Sequence, residues 1–392
     1  MYFCHGFCIK TIKNKIYQNM KSLKIGNLTV KVPIIQGGMG VAISLSGLAS
    51  AVARQGGIGV ISAAAIGMTE PNFEKNYRNA NKTALRKHIQ KAKVLSEGKG
   101  AIGVNLMVAL SDYDELLKVS VEEEADIVFL GAGLPLKLPE FVLEKGFENI
   151  HTKFAPKVSG AKAAKLIFQY WANKFNHIPD AVVVEGPKAG GHLGFKKQDL
   201  VDDSIELKDL IIETVNVIKE FEEKFNKKIP VIAAGGIYTG KDIHEIMKAG
   251  ASAVKMGTRF VATHECDADI EFKKSYIASR KEDITLIASP VGLPGRVIGS
   301  EFVDRINNGE TRPFKCPWKC LKSCNYKEVP YCISQILHNS SQGKLNEGFA
   351  FAGSNAYRIT KIQSVEELFN ELIQGYEQSI MRSVNISEKI AV

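Results

Sequence analysis

Short apolar runs punctuate this chain, and between them apolar positions recur every three or four residues. The runs are Pro33–Gln36, Gly57–Ser62, Ala101–Asn105, Ile127–Leu130, Ile150–Phe154, Ala181–Val184, Pro230–Ala234 and Ala253–Met256. Most are rich in β-branched residues or alanine and lack polar alternation, the pattern of strands buried on both faces. The fifth is the least apolar. Helical periodicity occupies Leu45–Arg54, Tyr113–Glu124, Gly160–Asn173, Leu207–Phe225 and Asp242–Lys248. Alternating strands and helices predict an α/β fold around a parallel sheet. Eight such units predict a closed (β/α)8 barrel, a TIM barrel. An open doubly wound sheet is the alternative, because counting units does not prove closure.

The regular alternation ends near Phe260. Residues 263–350 hold Pro290, Pro294, Pro313, Pro317 and a cysteine cluster, with few long periodic segments. This region is expected to form an added lid or subdomain over the barrel mouth. An amphipathic helix is expected at Val365–Ile373, continuing to about Ser383 and interrupted at Gly375. The expected organisation is a non-core extension over 1–19, a barrel over 20–262, the lid over 263–350, and a C-terminal segment with its helix over 351–392.

Composition narrows the class. The chain has 392 residues, 45% hydrophobic and 24% charged, as in ordinary globular proteins. No uncharged apolar run reaches the roughly 18 residues a membrane span needs, so no membrane partner is expected. The net charge is +9, and the basic residues are spread out instead of forming a stripe with aromatics. Nucleic-acid binding is therefore not expected, whereas a positive field favours phosphorylated cofactors and anionic substrates. Residues 1–19 lack the apolar core of a signal peptide. With seven cysteines, an odd number, this points to a reducing cytoplasm.

Candidate chemistry sits where strands end. Val182-Val183-Val184-Glu185 runs into Gly186-Pro187-Lys188-Ala189-Gly190-Gly191-His192. Glycines admit a ligand close to bare backbone, and the strand's carboxyl end is where α/β folds do chemistry. No Ser or Cys nucleophile and no HExxH spacing accompanies His192, so triad hydrolysis and zincin chemistry have no support. A neutral imidazole there can act as a base near neutral pH; the alternative is a turn histidine bonded to backbone. Gly235-Gly236 and Gly257-Thr258 close two successive strands, and their exposed amides can wrap a phosphate. Gly37-Gly38-Met39 can line a flat ring, and Asn105 can offer donor and acceptor to a heterocycle edge. Cys316, Cys320, Cys324 and Cys332 have neither zinc-ribbon nor standard iron–sulfur spacing. At i, i+4, i+8 the first three would share one face of a helix. They are weak metal candidates beside packed free thiols or a redox-sensitive pair, and a non-catalytic thiol or metal sensor is the reading of another class.

Together, Gln36-Gly37-Gly38-Met39, Gly103-Val104-Asn105, Ala189-Gly190-Gly191-His192, Ala234-Gly235-Gly236 and Met256-Gly257-Thr258-Arg259 resemble the nitronate monooxygenase (2-nitropropane dioxygenase) family. FMN-dependent enoyl-ACP reductases are similar over the same motifs. The resemblance covers about residues 21–300 and implies a TIM barrel with FMN at its mouth. It implies that Gly37, Gly38 and Met39 contact the isoalloxazine, with Gln36, Ala189 and Met256 beside them among the cofactor-binding residues. Asn105 and Glu185 would meet the flavin's polar edges or ribityl chain. Gly190 and Gly191 would flank the ring, and Gly235, Gly236, Gly257 and Thr258 would hold the phosphate. His192 would be the catalytic base for oxidation of alkyl nitronates by O2 to carbonyl compounds and nitrite. NAD(P)H-dependent enoyl-ACP or acceptor reduction on the same site is the alternative. Lys188 departs from the reductase pattern, which carries an acidic residue there. Arg296 is expected to meet an anionic substrate or nicotinamide phosphate, or to form a surface ion pair. The expected partners are a small-molecule substrate and at most a second copy of the chain, as a homodimer.

Overall fold

The computed structural model describes residues 20–202, 204–316 and 318–390. The expected extension over 1–19 lies outside the described residues. The chain opens with a hairpin, β1 (Leu23–Ile25) and β2 (Leu28–Val30), paired antiparallel. Six parallel strands follow: β3 (Ile34–Gln36), β4 (Ile58–Ser62), β5 (Ala101–Met107), β6 (Ile127–Gly131), β7 (Lys153–Val158) and β8 (Val182–Glu185). After a two-residue strand, β9 (Gly191–His192), come β10 (Val231–Ala234) and β11 (Ala253–Met256). Strand β11 pairs with β3, and β10 with β8, so the eight long strands close into a parallel barrel. The closed form of the α/β fold is thus the one adopted, and the open sheet is excluded.

Strand alternation sorts the barrel's side chains. Ile35, Ile58, Val60, Ala101, Ile127, Phe129, Ala155, Val183, Ile232 and Ala253 pack inward as one cluster. Leu23, Ile25 and Val30 of the hairpin join that cluster and plug one end of the barrel. The outward set, including Val104, Val128, Val182, Val184 and Val254, packs under the helices in a second, larger cluster. Both faces are buried, which explains why these strands read as near-continuous apolar runs. The fifth strand lies three residues later than its apolar run suggested, because Pro156 and Lys157 interrupt the hydrophobic pattern inside β7.

Beyond the barrel, β12 (Ile284–Ala288) and β13 (Pro294–Ile298) form an antiparallel pair whose free edge takes up β9. The cysteine stretch is not helical. Lys319 has a left-handed φ of 47°, which ends any helical run between Cys316 and Cys320. A short bridge instead stitches this stretch to the loop after β5: Leu321 pairs with Leu110, and Ser111 N–H donates to the Cys320 carbonyl at 3.1 Å. Trp318 stacks on Tyr77 at 5.5 Å between ring centroids. Among the described residues, no helix is long and apolar enough to cross a membrane.

The last helix, Val365–Ile390, runs through Gly375 without the expected interruption. Gly375 is there for proximity: a Cβ on it would sit 3.3 Å from the Cα of Gly240, which opens the helix Gly240–Lys248. A Cβ on Gly240 would strike the Leu372 carbonyl oxygen and the Tyr376 nitrogen. Glycine-to-alanine changes in helices normally stabilise by up to about 1 kcal/mol. Gly240→Ala should reverse that sign and cost about 2 kcal/mol. A urea midpoint equal to or above that of the unmodified protein would show that the two helices do not cross here.

Candidate functional site

At the carboxyl ends of the barrel strands the inward-facing layer changes character. Each strand's next inward position lies two residues beyond its last apolar one. Gly103 is followed by Asn105, Ala155 by Lys157, Val183 by Glu185 and Ala253 by Lys255. These four polar side chains form the floor of a cavity of about 480 Å³. Lys157 Nζ donates to Glu185 Oε1 at 2.9 Å. Lys255 is 6% exposed and lies over the Phe129 ring, its Nζ 5.1 Å from the ring centroid. Burial, then the charge of Lys157, lowers the Lys255 ammonium to about 7, and Glu185 opposes that shift. Asn105 Oδ1 is buried with no hydrogen-bond partner.

Glycines form the walls. A Cβ on Gly38 would collide with Asn105, and one on Gly37 would lie 3.3 Å from the Cα of Gly257. Met39 is set by its backbone N–H, which donates to Ser44 Oγ at 2.8 Å. Across the cavity, Gly235 and Gly236 adopt φ of 92° and 82°, a left-handed pair that other residues rarely take. Asn355 Nδ2 donates to the Gly236 carbonyl at 2.7 Å, and Gly353 N–H donates to Thr258 Oγ1 at 3.0 Å. The C-terminal segment therefore covers the expected phosphate loops. Met107, Leu110, Leu134, Leu321, Ile333 and Leu337 give another part of the cavity an apolar lining.

His192 is held by the added strands, not by the barrel. In β9 it stands opposite Gly295 of β13. Its Nε2 shares a 2.7 Å hydrogen bond with Ser289 Oγ, and its ring meets Phe351 edge-on at 4.8 Å. Burial, with the charge of Lys157, pushes its imidazole down to about 4, so the ring is neutral at neutral pH. Arg296 is neither a surface ion-pair residue nor a group lining the cavity. It is 7% exposed, and its Nη1 donates to the carbonyls of Pro187 at 2.6 Å and Ala189 at 2.5 Å. That bond pair fixes the loop that delivers Gly190, Gly191 and His192.

The cavity brings together Gly37, Gly38, Met39, Asn105, Glu185, Ala189, Gly190, Gly191, His192, Gly235, Gly236, Met256, Gly257 and Thr258. Gln36 stands apart from them. It is fully buried, its Oε1 accepts from Val60 N–H at 2.8 Å, and its Nε2 donates to the Gly37 carbonyl, so its amide serves the barrel wall. Cys316, Cys320, Cys324 and Cys332 are free thiols, and burial raises the thiols of Cys324, Cys332 and Cys320, the last to about 11. Among the described residues no three His, Cys, Asp or Glu side chains converge to hold a metal. Sequence reasoning missed Lys157, Lys255, Ser289, Phe351 and Asn355. For Lys157 and Lys255 a signal existed: a lysine two residues beyond an inward apolar position.

The chain matches the sequence profile of nitronate monooxygenases from residue 21 to residue 375. It belongs to the nitronate monooxygenase family. A probable nitronate monooxygenase of Staphylococcus haemolyticus is 26% identical over 380 residues, covering 89% of this chain and 95% of that protein. The (3aS,4S,5R,7aS)-5-hydroxy-7a-methyl-1-oxo-octahydro-1H-indene-4-carboxyl-CoA dehydrogenase of Rhodococcus jostii is 27% identical over 279 residues. That match spans 71% of this chain and 66% of the dehydrogenase. Among solved structures, FabK from Thermotoga maritima superposes with a TM-score of 0.69 at 26% identity, covering 91% of this chain and 96% of FabK. Nitroalkane oxidase from Streptomyces ansochromogenes shares the fold, with a TM-score of 0.67 at 20% identity. The family supports an oxidoreductase.

Replacing Arg296 with methionine leaves two buried carbonyls without their donor, at about 1–3 kcal/mol each. Arg296→Met should lower the urea midpoint accordingly and speed protease cleavage near Lys188. An unchanged midpoint would mean that the guanidinium does not hold this loop.

Proposed function

We propose that this family member is an FMN-dependent nitronate monooxygenase that oxidises alkyl nitronates with O2 to carbonyl compounds and nitrite. The observation that carries this reading is a neutral, half-buried His192 facing a glycine-walled cavity with an unpaired acceptor on its floor. The residues fit a flavin mononucleotide. The cavity lies in the size range of cofactor sites. The buried Asn105 Oδ1 awaits a donor such as a ring N–H. The left-handed glycine pair at 235–236 lines the cavity where a phosphate would lie. Gly235, Gly236, Gly257 and Thr258 would hold the phosphate; Gly37, Gly38, Met39, Gly190 and Gly191 would flank the ring. When bound, the flavin supplies electron transfer from the substrate to O2.

The protein's own work is orientation and proton handling. A nitroalkane must first lose its α-proton to become the nitronate that is oxidised, and the neutral imidazole is an acceptor for that proton. Nε2 is engaged by Ser289, so proton transfer uses Nδ1, or Nε2 once substrate displaces the hydroxyl. Phe351 and the apolar lining would exclude water around the reacting carbon.

An absorbance spectrum tests the cofactor: flavin bands should appear near equimolar with protein, or after reconstitution with FMN. Anaerobic bleaching by nitronate supports the proposal, whereas bleaching by NADPH or NADH would point to the reductase reading. His192→Ala should keep its flavin and lose roughly 10²–10⁴-fold in turnover of a nitroalkane; full activity would remove His192 from the mechanism. With a nitroalkane, kcat/KM should hold as pH falls through 6 and drop only as the imidazole takes a proton near 4. An acid limb near the ordinary histidine value of about 6.5 would contradict the neutral state.

A further inference from the structure

Lys255 is the feature that barrel packing leaves unexplained. It is 6% exposed, yet among the described residues its ammonium has no hydrogen bond and no ion pair, only the face of Phe129. The nearby carboxylate, Glu185, is committed to Lys157 at 2.9 Å. A buried cation without an acceptor costs several kcal/mol, and an apolar residue would fill the same barrel position without that cost. The groups bearing on it from across the barrel are Lys157 on β7, Glu185 on β8 and the Phe129 ring on β6. When Lys255 is protonated, one negative charge against two positive ones leaves the cavity floor with an excess of one positive charge. Asn105 Oδ1, a buried acceptor with no donor, lines the same floor.

An orphaned cation and an orphaned acceptor together describe a ligand edge. That edge carries a hydrogen-bond donor and a place where negative charge resides. We propose that Lys255 is the counter-charge for the negative charge that the cofactor ring acquires on two-electron reduction, and so sets how readily this protein's flavin is reduced. This rests on the FMN reading above. The oxidised ring is neutral and becomes anionic when it takes two electrons and one proton, so a cation on the floor favours the reduced form. Lys255 is in this sense a positioning charge, and His192 keeps the proton chemistry. A negative ring also favours the charged form of the amine, which burial otherwise disfavours.

Sulfite tests the charge without turnover. Its sulfur lone pair bonds to the oxidised ring, two electrons enter the ring, and no group leaves. The added negative charge must be held by the protein, and the flavin absorbance bleaches. Lys255→Met and Lys255→Gln should both retain oxidised FMN at wild-type stoichiometry and bind sulfite roughly tenfold or more weakly. The unmodified protein, reduced anaerobically with dithionite between about pH 6 and 8, should show the spectrum of the anionic reduced flavin. Unchanged sulfite affinity in a variant that retains FMN, or a neutral reduced flavin in the unmodified protein, overturns the proposal. A protein that takes up no FMN overturns the functional reading and this inference with it; retained FMN with unchanged sulfite binding overturns this inference alone.

Discussion

The site depends on one guanidinium. Arg296 reaches back from β13 to the carbonyls of Pro187 and Ala189, and the same strand pairs with Gly191 and His192. Hydrogen bonds from a buried charge are strong, and the loop they hold contains adjacent glycines with little conformational preference of their own. Without this clamp, Gly190–His192 would have no fixed position over the barrel. Close backbone approach completes it: a Cβ on Gly190 would lie 2.5 Å from the Ala352 carbonyl carbon. A βα barrel provides the floor of the cavity, and a later, irregular segment of the chain provides the position of His192.

That division has an electrostatic counterpart. The barrel interior is apolar for most of its depth and turns polar only in its last inward layer. There Lys157, Glu185 and Lys255 meet under conditions that make charge expensive. Burial shifts two cavity groups in the same direction: His192 falls to about 4 and Lys255 to about 7. The outcomes differ because their ordinary values differ. The imidazole becomes firmly neutral at physiological pH, while the amine is left close to balance, where a nearby anion decides its state. A neutral imidazole and a responsive cation thus share one cavity.

Much of this was legible beforehand. The eight strands and the glycines at their carboxyl ends follow from runs of apolar residues and from turn chemistry, both local properties. The errors were local too. The apolar pattern misplaces strand β7 because Lys157 and Pro156 disguise it, and Gly375 serves a helix crossing where its residue type suggests a break. Three cysteines at helical spacing formed no helix, because a left-handed residue lies between them. Gln36 stands in a ligand-like motif, yet its amide is used inside the barrel wall. Ser289, Phe351 and Asn355 gave no signal, since nothing near them in sequence marks them as neighbours of His192 or Gly236.

The amino-acid order by itself determined the succession of βα units and the places where backbone lies bare, because periodicity and glycine act within a few residues of themselves. Tertiary structure decided which side chains share the cavity. His192 meets Ser289 across 97 residues, and Asn355 meets Gly236 across 119. Whether a lysine in a strand faces the barrel's interior or its helices depends on a register that shifts every side chain when it moves by one residue. Closing the barrel and docking the later segment on its mouth set that register, and no local pattern encodes either.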